Sequence, residues 1–244
     1  MAGDRAQLMT YISSGFPVIM ALASLSGSSG HAICALGVKK GSVAPQTDPN
    51  LSYLDASTAL AGVYAHDDRL GPYASIQMSG YTTPDGIRTG VSIEWPGQNI
   101  PADYSLLLAL IVPVPTKLRL TAARMRALGH PVAEALARAF KGTHDGLTMN
   151  CRFDRNTHYL RKGYAFDLSS RGIHSLVCET VLSRYLGVIE ITSPRGPFLD
   201  VLLDTTETRA NPAVLACVRR GDLNQEAIEW LGTFTKLLGG RWIS

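Results

Sequence analysis

The apolar residues of this chain come in short runs. Residues 16–25, 31–38, 59–65 and 106–112 are the clearest, each bounded within a few positions by glycine, proline, serine or aspartate. Runs of that length suit strands rather than membrane spans, which need about 20 apolar residues. Elsewhere apolar side chains fall three and four apart, the helical period, as in Met125, Leu128, Val132, Leu136 and Phe140. The mixture predicts an α+β class, with an antiparallel sheet first and a mixed α/β region after it.

Local signals fill in the order. Asp4 suits the N-cap of a helix over 5–14, and Gly15 suits its end. Strands are expected over 17–25 and 31–38, separated by the small loop Ser26-Gly27-Ser28-Ser29-Gly30, then an exposed loop over 39–50. A strand over 59–65 stops at His66-Asp67-Asp68-Arg69. Residues 74–78 and 87–95 read as a hairpin turned by Thr83-Pro84-Asp85-Gly86. The continuous run 106–112 predicts a strand buried on both faces. Two helices, 120–128 and 132–140, are expected to part at Gly129-His130-Pro131. The polar stretch 142–157 reads as a boundary, followed by a helix over 173–185 and strands over 187–192, 199–203 and 214–218. Asp222 and Gln225 suggest a capping box for a last helix with Ile228, Leu231, Phe234 and Leu238 inward. The resulting division is 1–80, 81–141 and 142–244.

Charge narrows the function classes. Lys plus Arg number 23 against 20 Asp plus Glu, and no basic run exceeds a pair. A concentrated basic face is therefore not expected, nor is nucleic acid as a partner. The four cysteines (Cys34, Cys151, Cys178, Cys217) are far apart with no C-x-x-C, which favours reduced thiols and a cytoplasmic location over disulfides or structural zinc. Residues 16–25 imitate a secretory signal, but Asp4 and the Gly15-Phe16-Pro17 break argue for a buried element. No membrane contact is expected.

The residues that suggest chemistry are His31 and Asp67. His31 opens one predicted strand and Asp67 closes the next long one. Antiparallel pairing of those strands makes an imidazole and a carboxylate neighbours. A carboxylate that orients a histidine is what a thiol or hydroxyl nucleophile asks of its base. Gly30, just before the histidine, leaves room for a substrate.

Gly15-Phe16-Pro17-Val18-Ile19, then Gly30-His31-Ala32-Ile33-Cys34-Ala35-Leu36-Gly37, then Tyr64-Ala65-His66-Asp67-Asp68 with Gly71-Pro72-Tyr73, resembles the second half of a papain-like cysteine peptidase. Within that group the likeness is to bacterial peptidases that remove double-glycine leaders. It covers roughly residues 8–73, under a third of the chain, through short motifs. The resemblance implies a papain-like lobe in which His31 is the catalytic base and Asp67 the acid that orients it. Asp68 stands where many relatives carry proline. The implied substrate or partner is a peptide or protein.

The likeness also implies a nucleophilic cysteine at a helix N-terminus upstream of these motifs. The seven residues before Leu8 contain none. Cys34 does not replace it, because three residues along a strand puts it on the opposite face and about 10 Å away. Cys151 follows a polar segment and is expected nearer the surface, whereas Cys178 and Cys217 read as core. The expectation is a truncated or degenerate cysteine-peptidase-like protein, inactive as given, with no cofactor. The alternatives are a non-catalytic peptide- or protein-binding module and a metal-dependent hydrolase using His31, His66, Asp67 and Asp68. Against the metal stands strand alternation, which points His66 and Asp67 to opposite faces. Self-association is expected if a missing lobe leaves apolar surface bare.

Overall fold

The computed structural model describes residues 2–25, 29–41, 51–84, 86–93, 103–141, 146–164, 177, 180–206, 214–220, 225–237 and 239–243. Along the chain run α1 (Ala2–Ser13), β1 (Val18–Ser24), β2 (Gly30–Lys40), β3 (Leu54–Asp55), a 3-10 turn (Ala56–Ala59), β4 (Leu60–Asp67), β5 (Gly71–Thr83), β6 (Gly86–Ile93) and β7 (Asp103–Ile111). Then come α2 (Ala122–Ala139), β8 (Thr148–Arg155), α3 (Asn156–Tyr164), β9 (Tyr185–Ser193), β10 (Gly196–Asp204), β11 (Val214–Arg219), α4 (Gln225–Leu237) and β12 (Arg241–Ile243). The class is α+β with mostly antiparallel pairing. Among the described residues, no helix is long and apolar enough to cross a membrane.

Two compact units share the chain, one of residues 1–46 with 55–114, the other of 47–54 with 115–244. The division expected at residue 80 lies inside β5, whose antiparallel pairing with β6 runs on through Thr83 and Gly86.

The first unit is a closed barrel in the order β1-β2-β4-β5-β6-β7, with β7 returning to β1. Alternation builds its interior. Val18, Met20 and Leu22 of β1, Ile33 and Ala35 of β2, Val63 and Ala65 of β4, Ile76 of β5 and Val91 and Ile93 of β6 are all buried. Gly62 is required where β4 meets β5, since a Cβ there would stand 2.0 Å from the Ile76 carbonyl oxygen. The helix α1 adds Leu8, Met9 and Ile12 to the core. Its Arg5 donates to the Met78 carbonyl at 2.9 Å, and its Asp4 accepts from Thr89 Oγ1 at 2.6 Å. Gly15 takes φ +81° and closes the helix as its position suggested. The run 106–112 is not buried on both faces: Leu108 and Ile111 are 67% and 57% exposed. In a barrel wall one face looks outward whatever its side chains are, so apolarity there does not mean burial.

The second unit is a six-stranded sheet, β12-β11-β10-β9-β8-β3, in which only β11 and β12 pair in parallel among the registers described. The two expected helices around Gly129-His130-Pro131 are one continuous helix, α2, with Pro131 inside it. Proline removes one helix hydrogen bond, but Met125, Gly129, Val132, Ala133 and Leu136 of the same face are all buried. Gly129 permits this closeness, because a Cβ would stand 2.8 Å from Met149 Sδ. The boundary expected over 142–157 is likewise replaced in part by structure: 148–155 is β8, paired along its length with β9. Its buried Met149, Cys151 and Phe153 alternate with polar residues. Most of the helix expected over 173–185 lies outside the described residues, and its last residue, Tyr185, opens β9 instead. In α4, Leu231 is buried while Ile228 and Phe234 are half-buried; Asp222 and Leu238 lie outside the described residues.

Candidate functional site

One end of the barrel carries the site. β2 and β4 pair antiparallel with Cys34 opposite His66, so the start of β2 lies beside the end of β4. His31 shares its strand face with buried Ile33 and Ala35, and Asp67 shares its own with buried Val63 and Ala65. Both side chains therefore turn inward at the same end. His31 Nε2 stands 3.0 Å from Asp67 Oδ2. Asp67 has no exposed surface, whereas the imidazole is 19% exposed and reachable from solvent. The sequence expectation that these two residues meet is what the geometry shows.

A tight turn completes Asp67's surroundings. The backbone N–H of Arg69 donates to Asp67 Oδ1 at 2.8 Å, and Arg69 Nε lies 3.6 Å from the same oxygen. Burial pushes the Asp67 carboxyl up, but the Arg69 N–H, the His31 hydrogen bond and the charges of both residues more than offset this. The group titrates below the ordinary carboxylate value. An ionised carboxylate only accepts. The Nε2 hydrogen of His31 must then point at Asp67, and in the neutral form of the ring Nδ1 carries the lone pair and is the basic position.

The neighbourhood is acidic and irregular. Asp68 Oδ1 lies 3.6 Å from His31 Nε2, and the Asp68 side chain is 80% exposed. Together His31, Asp67 and Asp68 place one ligand atom each within 4.8 Å of one another. His66 is exposed on the other side of β4, as alternation predicted. Beyond the turn, Gly71 has φ +85° and Tyr73 φ +62° with its ring 74% exposed. Tyr73 sits where the β4/β5 register shifts between Ala65 and Asp67, a bulge directly beside the dyad. Gly30 is exposed, and a Cβ there would meet only the Leu22 carbonyl oxygen at 3.5 Å, an ordinary contact. Packing does not require glycine before the histidine.

The described cysteines do not join this site. Cys34 is half-buried on the opposite strand face from His31. Cys151, expected nearer the surface, is fully buried because its strand turns it toward α2, and burial pushes its thiol up to about 12. Cys217 is buried too, its thiol raised to about 11 by the same cause. Both sit in the second unit and are poor nucleophiles at neutral pH. Cys178 lies outside the described residues.

A polar assembly in the second unit escaped the sequence reading. Asn150 of β8, Glu190 of β9 and Asp200 of β10 stand directly across neighbouring strands in one row. Asn150 Nδ2 donates to Glu190 at 3.2 Å, and Arg152 NH2 meets Glu190 at 3.0 Å. Arg152 also pairs with Asp154, which accepts from His158 Nδ1 at 2.6 Å. Tyr159 donates to buried Asp200 at 2.8 Å, with Arg220 NH1 3.6 Å from the same oxygen. Burial pushes the Asp200 carboxyl up to about 6, against the pull of Arg220. Polar residues at every second position of β8 were the available signal, but Glu190, the partner shared by Asn150 and Arg152, lies about 40 residues away. His130, expected in the break between two helices, is instead within α2 and bonded to Tyr53.

Comparison of the chain with family models, curated proteins and solved structures finds no match.

Proposed function

We propose that the first unit is the base-carrying lobe of a papain-like thiol hydrolase acting on peptide bonds. The observation that carries this reading is the inward His31–Asp67 pair at the end of an antiparallel barrel, with Nε2 bound and Nδ1 left basic. Asp67 holds the tautomer and ring orientation. Nδ1 takes the proton of a thiol as its sulfur attacks a carbonyl carbon, then returns that proton to the departing amine nitrogen. Water, deprotonated by the same nitrogen, cleaves the thioester that remains. The thiol comes from outside the described residues, because Cys34, Cys151 and Cys217 are all misplaced or buried.

The test supplies the thiol from solution. The full chain is mixed with 2-mercaptoethanol and an N-acyl-glycyl p-nitrophenyl ester, and p-nitrophenol release is followed. The expected result is catalysis by the wild type falling roughly tenfold in both His31→Ala and Asp67→Asn, the low side of what a positioned base contributes. Equal rates in all three proteins overturn the reading.

A second reading, a non-catalytic protein-binding module, is favoured by a different observation. Ile19 and Ile111 are cross-strand partners on the barrel's outer face, and both are exposed, as are Leu36, Tyr64 and Leu108. On this reading the partner is a second copy of the chain. Sedimentation that finds a monomer at every concentration removes it.

A further inference from the structure

We propose that His31, Asp67 and Asp68 bind a divalent transition-metal ion, zinc above others, and that the bound ion and the base-competent dyad exclude one another. The exclusion rests on the dyad reading above, whereas the metal site rests on geometry alone. Tetrahedral zinc holds nitrogen and oxygen donors at about 2.0–2.2 Å, so donors around one ion stand about 3.3–3.5 Å apart. His31 Nε2 is 3.0 Å from Asp67 Oδ2 and 3.6 Å from Asp68 Oδ1, values that bracket this spacing. The three donor atoms lie within 4.8 Å of one another. Rotation of the exposed Asp68 side chain brings the third donor toward the same ion.

The donors are also aimed. Asp67 Oδ1 is held by the Arg69 N–H at 2.8 Å, which leaves Oδ2 facing the imidazole. Such outer hydrogen bonds orient metal ligands and tune their basicity. Asp68 follows at the exposed turn, so an ion enters from solvent and keeps water in its fourth position. Two carboxylates stand against one Arg69 guanidinium, 3.6 Å from the far oxygen of Asp67, so the donor set favours a cation. An imidazole with carboxylates selects zinc, cobalt or nickel over calcium or magnesium, which prefer oxygen alone.

The two states compete for one lone pair. In the dyad, Nε2 carries the hydrogen and Nδ1 the lone pair. A metal on Nε2 needs that lone pair, so the ring hydrogen moves through solvent to Nδ1 with no net proton released from the neutral ring. The position that would accept a thiol proton is then filled. Zinc silences the base, and a chelator restores it.

The full chain is titrated with zinc chloride by calorimetry, while a long-range ¹H–¹⁵N spectrum follows the His31 ring. Expected are one ion per chain, binding abolished in His31→Ala and weakened at least roughly tenfold in Asp68→Asn. The ring hydrogen should move from Nε2 to Nδ1 on saturation. Asp68 is exposed, so its variant tests the site without threatening the fold. Equal zinc affinity in wild type and both variants overturns the metal site, as does saturation that leaves the His31 resonances unmoved. The metal-free spectrum judges the dyad separately. A ring already protonated at Nδ1 before zinc is added defeats the dyad and the exclusion, while the calorimetry still decides the site.

Discussion

Exchanging one oxygen of Asp67 for nitrogen should reverse the tautomer of His31. In the wild type, Oδ1 accepts from the Arg69 N–H at 2.8 Å and Oδ2 accepts from His31 at 3.0 Å. Asparagine keeps only one acceptor oxygen, and the backbone N–H of Arg69 can do nothing but donate. The amide oxygen therefore stays with Arg69, and the NH2 group turns to the imidazole. An NH2 group donates, so Nε2 must accept and the ring hydrogen must move to Nδ1. Hydrogen bonds to a charged partner contribute about 1.5–3 kcal/mol and neutral ones about 0.5–1.5 kcal/mol. Two bonds that change from the first kind to the second lose about 2 kcal/mol together. The assay is ¹H–¹⁵N spectroscopy of the His31 ring in Asp67→Asn, with urea unfolding followed through barrel amides. Local probes are needed because two compact units need not unfold together. A variant whose imidazole keeps its hydrogen on Nε2, or whose barrel is as stable as the wild type, refutes the reasoning about this pair.

Four further outcomes follow from other parts of the molecule. Asp200 binds its proton more tightly folded than unfolded, at about 6 against 3.8. Its contribution to stability is therefore fully present below pH 4 and is lost as pH rises through 6, a change of about 3 kcal/mol; urea midpoints of second-unit amides should show this slope, and Asp200→Asn should flatten it. Iodoacetamide at neutral pH should modify Cys34 before Cys151 or Cys217, whose thiols are buried and raised to about 12 and 11; mass spectrometry that finds Cys151 labelled first contradicts the packing described. Gly62→Ala should cost about 3 kcal/mol or more, because the added methyl meets backbone at 2.0 Å and β4 must leave β5 to admit it. Tyr73→Gly should not destabilise the barrel and should gain up to about 1 kcal/mol from relief of its left-handed backbone; a marked loss by thermal melt means the exposed ring is held by contacts.

The candidate pair was legible because it depends on two strand ends and one pairing rule. His31 and Asp67 mark where apolar runs begin and stop, and antiparallel order does the rest. Closure of the barrel was not legible, since β1 and β7 are separated by most of the unit and neither carries a motif for the other. Residues 106–112 misled for the same reason: apolar on both sides, they form a wall with Leu108 in solvent. In β8, polar Asn150 and Arg152 concealed a strand, because Glu190, which satisfies both, comes from β9 far along the chain. At Pro131 a local breaker yielded to packing. The helix continues because its buried face is shared by residues on both sides of the proline.

Because β7 rejoins β1, the described strands of the first unit close on one another, and open edge is left in short stretches such as Tyr81–Thr83 of β5, which pair with β6 alone. A peptide therefore finds only a few residues of edge on which to extend the sheet, the commonest backbone-led way for an extended segment to bind a β protein. What visits the closed part of this unit is recognised through side chains on its outer wall or through the groups at its rim. Selectivity would then be carried by the chemistry of those side chains, and sequence-blind main-chain pairing would add little to it.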